Sequence, residues 1–335
     1  MAATIMGSIR KRLTAPDTSE ASFTVRGFDT SGPARDKLEM SVLQYLIGYE
    51  FGIEQKGHDD VVARLETLER EYRGFAYEGA ATALALRDVM SPLPGNRITE
   101  SFLLGSQYDP GDYDAAPGSK HVFMAYIGIG FALAQLPKPL WQRALPDQSK
   151  IVDHPSLRWL IMDGYGMHMA FFEPRKWVDG QNVAKRYPWK GSVDYTNRVI
   201  DHGIGRALWF IHSGDVERLL AVVAKFPPAR RADLLCGLGL AATYAGGVGV
   251  DSLEALLRGA GEYRPELAQG AVFALRARVV SDLVTPHHEL AAQVFCGCSV
   301  EEANGIARKE ISGLPEDGAV EAYEVFRQRV QKHFR

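Results

Sequence analysis

The sequence predicts an all-α protein built of helical hairpins repeated along the chain and arranged as a ring or solenoid around a central cavity. Three observations lead there. Glycine recurs as Gly-x-Gly in YIGIGFA (Gly128, Gly130), DGYGMHM (Gly164, Gly166), DHGIGRA (Gly203, Gly205) and LCGLGLA (Gly237, Gly239). The first glycines stand 36, 39 and 34 residues apart, the spacing of helix-turn-helix units in repeat proteins. Outer copies stand at Gly79 and Gly270, where residues 60 to 86 align without gaps on residues 251 to 277, YRGFAYEGAATAL over YRPELAQGAVFAL.

The glycine pairs are not phosphate-binding loops. A dinucleotide fingerprint needs a third glycine three residues on, and those places hold Leu133, Met169, Leu208 and Ala242. Within a helix, positions i and i+2 lie about 200° apart, so a Gly-x-Gly pair strips side chains from two nearly opposite flanks. Glycine costs a helix about 1 kcal/mol against alanine. The pairs therefore predict inner helices with a close neighbour on each side, as in a stack of hairpins.

The same wheel assigns the two remaining faces. Positions one and five after the first glycine are apolar, as in Ile129 and Leu133 or Ile204 and Leu208, and should pack on outer helices. Positions one before and three after carry Glu78 and Thr82, Ile127 and Phe131, Asp163 and Met167, His202 and Arg206, Cys236 and Leu240, Gln269 and Phe273. Phe171, Phe210 and Tyr244, seven positions on, adjoin that face, and His168 is counted with them. A few polar groups in an apolar, aromatic wall is the composition of a small-molecule site. The expected catalytic groups are Asp163, Glu78, His202 and Arg206; the expected substrate wall is Phe131, Met167, His168, Phe171, Phe210, Cys236, Tyr244, Gln269 and Phe273.

In chain order, residues 1 to 38 read as a surface-wrapping N-terminal arm, and 39 to 335 as one helical repeat domain whose first hairpin is 39 to 90. Irregular insertions are expected near 106 to 120 and 173 to 191, the second joining Trp177, Tyr187 and Trp189 with five basic residues as a lid or docking loop. FPPARRADL and TPHHELAAQVF each begin a helix after proline, and His287 and His288 read as surface residues.

Composition bounds the function. A chain of 335 residues with 46% hydrophobic and 24% charged content is an ordinary globular protein. A net charge of −3 offers no field for nucleic acid. The uncharged runs 122 to 134 and 234 to 250 fall short of the roughly 18 to 20 apolar residues of a membrane span, and the N-terminal segment lacks a secretion-signal core. The three cysteines are too few and wrongly spaced for zinc, and Cys296-Gly-Cys298 is too short for an unstrained disulfide framework. These readings predict a cytoplasmic protein with no metal or other cofactor. Neither H-E-x-x-H nor G-x-S-x-G occurs. What remains suits acid-initiated chemistry: a buried carboxylic acid donates a proton to an alkene or carbonyl, and aromatic faces stabilise the resulting cation.

The segments RGFAYEGAA, LRWLIMDGYGMH, DHGIGRALWF, FPPARRADL, GLGLAATYAGG and YRPELAQGA together resemble the bacterial UnbL-type family, domain of unknown function family 1702, whose genes lie beside enediyne polyketide synthases. The resemblance covers nearly the whole chain. It implies natural-product biosynthesis on a long conjugated polyene, and it carries over no catalytic residue. Two classes of function follow: a cyclase or isomerase that binds a polyene or, in a terpene-cyclase-like variant, a polyprenyl substrate, and a non-catalytic module that shields a reactive polyene or docks a polyketide synthase.

Overall fold

The computed structural model describes residues 7, 11–12, 15–91, 98–104, 116, 118–147, 154–183 and 186–335. Among them every regular element is helical. Helices of seven or more residues are numbered α1 (Arg35–Glu54), α2 (His58–Leu65), α3 (Arg73–Met90), α4 (Ile98–Leu104), α5 (Val122–Gln135), α6 (Trp159–Phe172), α7 (Val193–Ile211), α8 (Val216–Lys225), α9 (Pro228–Tyr244), α10 (Val250–Gly259), α11 (Arg264–Val280), α12 (Pro286–Cys296), α13 (Val300–Ile311) and α14 (Ala322–Gln331). Most of the 106–120 insertion lies outside the described residues.

The chain divides into two compact units, one comprising residues 1–25 and 39–165, the other 26–38 and 166–335. The expected hairpin repeat runs through each unit, and the glycines set its register. In the first unit a methyl group on Gly79 would strike the carbonyl oxygen of Tyr45, one on Gly128 that of Glu78, and one on Gly164 that of Ile127. In the second, Gly237 meets the carbonyl of His202 and Gly270 that of Cys236. The residue struck always stands one place before the first-glycine position of the preceding inner helix. The second glycines follow a rule of their own: Gly48 meets the carbonyl of Ala76, Gly130 that of Ile161, Gly166 that of Ile200, Gly205 that of Leu234 and Gly239 that of Leu267. Each of these carbonyls lies three places before the first glycine of the following inner helix. Backbone thus touches backbone on both flanks, and Cα–H···O contacts of this kind take the place of side-chain packing.

The rule exposes a repeat that the sequence reading missed. Leu46 stands 33 residues before Gly79 and Gly48 two places later, so α1 is an inner helix with leucine at its first-glycine position. At the other end of the series Val272 holds the second-glycine position of α11.

In the first unit the end of α3 fastens two other helices. Arg87, buried, donates to the carbonyls of Gly52 and Gln55 at 2.6 and 2.9 Å, where α1 ends. Asp88 accepts from the N–H groups of Ile98 and Thr99 at 2.9 and 3.0 Å, where α4 begins. Cation at a C-terminus and anion at an N-terminus is the arrangement helix dipoles favour.

In the second unit α8, α10 and α12 form the layer behind α9 and α11, while α13 and α14 pack on α11. Residues 26 to 34 of the expected arm dock at the turn after α7: Asp29 N–H donates to Ile211 and Ala34 N–H to Ser213, both at 2.9 Å, and the Asp29 carboxylate meets His212 and Arg218 at 2.7 Å. The 173–191 segment opens with a turn of π-helix, Arg175–Asp179, and buries Trp177. It is then tied down at Gln181, which donates to the Lys225 carbonyl at 2.9 Å and accepts from Arg230 at 2.8 Å. One sequence expectation is corrected here. His288 is buried, because its Nδ1 accepts from Thr285 N–H at 2.8 Å and completes a capping box at the start of α12.

Candidate functional site

The register places the expected site residues in rows. In the first unit the row one before the glycine position is Tyr45, Glu78, Ile127 and Asp163, and the row three after it is Tyr49, Thr82 and Phe131. Glu78 and Asp163 are both buried, at 2% and 0% exposure, which makes them carboxyl groups held away from bulk water. Two interhelical steps of roughly 8 Å separate the helices that carry them, so one acid, not a dyad, would serve any single reacting atom. Thr82 hydroxyl contacts the carbonyls of Gly128 at 2.8 Å and Glu78 at 3.0 Å, and accepts from the Tyr45 hydroxyl at 3.2 Å. Burial pushes the Tyr45 phenol well above its ordinary range against the opposing Thr82 bond, so Tyr45 stays a neutral donor. Phe131 tilts over Tyr45 with ring centroids 5.3 Å apart.

The second unit holds the other expected residues in two places. His202 and Arg206 on α7 are buried. Next to His202 in the row comes Cys236, whose thiol donates to Gln269 Oε1 at 3.2 Å, a direct confirmation of the register between α9 and α11. That face is covered. Helix α14 lies on it, with Arg327 Nε and Gln331 Nε2 both donating to Gln269 Oε1 at 3.3 Å and Phe326 stacked on Phe273 at 4.9 Å. Beneath α14, Asp233 accepts from Arg327 at 2.6 Å and Arg198 at 3.0 Å, and Glu324 accepts from the same two arginines at 3.2 Å. Burial pushes the Asp233 carboxyl up, and Arg327 with Arg198 more than reverses it, holding it below the usual carboxylate range. Asp233 is therefore a fixed anion and no proton donor.

His168, Phe171 and Phe210 meet at the second place. Phe171 is edge-on to Phe210 at 6.2 Å and to Phe28 at 4.9 Å, and His168 stacks on Phe172 at 4.4 Å. Arg26 fills the middle, its guanidinium 4.5 and 4.4 Å from the Phe171 and Phe172 ring centres and one N–H donating to the Phe171 carbonyl at 3.0 Å. Burial and Arg26 lower His168 to about 3, so this imidazole is neutral. An aromatic cluster suited to a cation already holds one from its own chain. Met167 is buried on α6, and Tyr244 is spoken for, with the Arg278 guanidinium 3.8 Å over its ring.

Sequence reasoning missed Tyr45, Arg26, Phe28, Asp233, Glu324 and Arg327. Tyr45 was within reach, since Gly48 repeats the period. The others come from segments outside the wheel or from positions not weighed on it.

Fold and faces together define an all-helical repeat protein whose inner helices join through glycine and present buried polar rows. The chain belongs to the DUF1702 family, described as a protein of unknown function, which it matches over residues 5–334. No curated protein and no solved structure gave a match. No helix among the described residues is long and apolar enough to cross a membrane, and none of them form a group of three or more side chains able to hold a metal ion.

Proposed function

We propose that the protein binds a long apolar polyene on the inner face of its Gly-x-Gly helices and starts its cyclisation or isomerisation by proton donation from Asp163 or Glu78. The expected ring or solenoid around a cavity is part of this proposal, as is a setting in natural-product biosynthesis beside an enediyne polyketide synthase. The observation that carries it is the inner row of the first unit, with two buried carboxyl residues among Tyr45, Ile127 and Phe131. Proton transfer to a carbon–carbon double bond needs an acid shielded from water, and the carbocation that follows is held by ring faces.

The test is incubation of the purified protein with linear polyenes and with polyprenyl diphosphates, followed by mass spectrometry. An isomer of unchanged mass is expected, lost in Asp163→Asn or Glu78→Gln while binding persists. Full turnover in both variants overturns acid catalysis.

A second reading is favoured by one observation. The part of the inner face at Cys236 and Gln269 already accepts a helix, α14. A synthase helix docking on the remainder would make the protein a non-catalytic chaperone of its polyene; binding without turnover by any variant, the unaltered protein included, is its signature.

A further inference from the structure

The glycine register fixes the order α1, α3, α5 in the first unit, with Gly79 against the Tyr45 carbonyl and Gly128 against that of Glu78. Leucine at 46, in place of the first glycine, keeps any further helix from backbone contact on that flank, so the close-packed row begins at α1. Helices α1 and α5 are two interhelical steps of roughly 8 Å apart, yet Tyr45 and Phe131 meet with ring centroids 5.3 Å apart. The two rings therefore reach toward each other across α3. On α3 itself, the Thr82 hydroxyl accepts from the Tyr45 hydroxyl at 3.2 Å and donates toward the Gly128 carbonyl of α5 at 2.8 Å. Ring contact and hydrogen bond together hold Tyr45 against both following helices. Thr82 is one turn of α3 beyond Glu78, about 6 Å along the axis. Glu78 thus stands beside this aromatic barrier, and Asp163 lies two helices further along the same row.

We propose, resting on the polyene reading above, that the Tyr45–Phe131 pair is the end wall of the substrate site and selects the length of linear chain that the row accepts. One end of the chain stops against the two rings beside Glu78, and the chain runs past Ile127 toward Asp163. The double bond that stands at either acid is then counted from the wall. An end wall has to offer apolar surface and resist being pushed aside. Two aromatic rings supply the surface, and Tyr45 is half-buried, so part of its ring remains open to a ligand. The Thr82 bond and the contact with buried Phe131 supply the resistance. Because the Tyr45 hydroxyl donates to Thr82, the wall receives a hydrocarbon terminus. Any carboxyl, thioester or diphosphate head of the substrate belongs at the opposite end.

Binding to the full-length protein is measured for a linear conjugated polyene bearing saturated tails lengthened by one CH2 at a time, read from the shift in polyene absorbance. Each CH2 that the site still accommodates should strengthen binding by about fourfold, until the series levels off at a limiting length. Tyr45→Leu and Phe131→Ala should each move that limit to tails longer by about one CH2 or more. Damage to the fold alone would weaken every member of the series alike and leave the limit where it was. Each variant is a separate test, so one that folds poorly leaves the other to decide. A limit unchanged in the variants, or binding that strengthens without limit in the unaltered protein, overturns the end wall and leaves acid-initiated polyene chemistry standing. An unaltered protein that binds no member of the series overturns both.

Discussion

Asp233 shows most directly what a single side chain does here. It is buried at 1% exposure, its two oxygens accept from Arg327 and Arg198, and Arg327 in turn holds Glu324. Breaking a buried pair by removing one charge leaves the partner desolvated, at a cost of about 3–5 kcal/mol. Asp233→Asn is therefore expected to lower unfolding free energy by that order in urea denaturation, because Arg327 and Arg198 would face a neutral amide. A loss under about 1 kcal/mol would mean that water or Glu324 alone satisfies the arginines. Replacing Asp233 and Arg327 together by apolar residues of similar volume should cost much less than Asp233→Asn, since neither leaves an unpaired charge.

At the scale of the element, glycine decides which helices adjoin. Alanine at Gly237 would drive its methyl into the His202 carbonyl and the Arg206 backbone nitrogen, and neither backbone can step aside without moving a helix. Overpacking of this kind costs about 1–3 kcal/mol and sometimes more. Gly305, exposed on α13, has nothing within 4 Å of an added methyl. Gly305→Ala should instead stabilise by up to about 1 kcal/mol through helix propensity and a less mobile unfolded chain. Opposite signs for the two changes, read from urea midpoints, are the expected outcome; equal effects would remove glycine from its role in spacing the helices. The inner helices were legible because this spacing leaves a periodic trace: Gly128, Gly164, Gly203, Gly237 and Gly270 can be read off a helical wheel. Helix α1 was not, since at its position in the series leucine stands at 46 and only Gly48 repeats the signal. Nor was the role of α14. Its partners Asp233 and Gln269 lie some 60 to 90 residues away in sequence, and a cluster of charges such as Glu324, Arg327 and Arg329 reads on a wheel as a solvated face. The inner-face row was legible as a face. Which of its members would be covered by another helix was not, because covering depends on contacts between distant segments that no local periodicity records.

At the scale of the whole molecule, buried titratable groups set how stability answers to pH. His168 and His288 ordinarily titrate at 6.5 and are lowered to about 3 and about 2 in the folded protein, chiefly by burial, with Arg26 acting on the first and Arg278, His287 and Lys37 on the second. Between pH 6.5 and 5 the unfolded chain gains a proton at each histidine and the folded chain does not. This contribution to stability is complete above 6.5 and is lost as the pH falls. Asp201 opposes it. Burial raises its carboxyl from 3.8 to about 6 in spite of the Arg230 pair, so the folded chain takes up a proton there that the unfolded chain lacks, and half-buried Glu266 is shifted in the same sense. Of the groups named here, two histidines against one aspartate leave the unfolded chain ahead by about one proton near pH 5.5. One net proton is worth about 1.4 kcal/mol per pH unit, so stability should fall by about 2 kcal/mol on going from pH 6.5 to 5, measured by urea denaturation at each pH. His288→Asn keeps an acceptor for Thr285 N–H and removes one titrating group, leaving His168 and Asp201 nearly balanced. That variant should show an almost flat profile over the same window. A slope as steep as that of the unaltered protein would show that His288 is protonated in the folded state, and that its burial on α12 does not govern acid sensitivity.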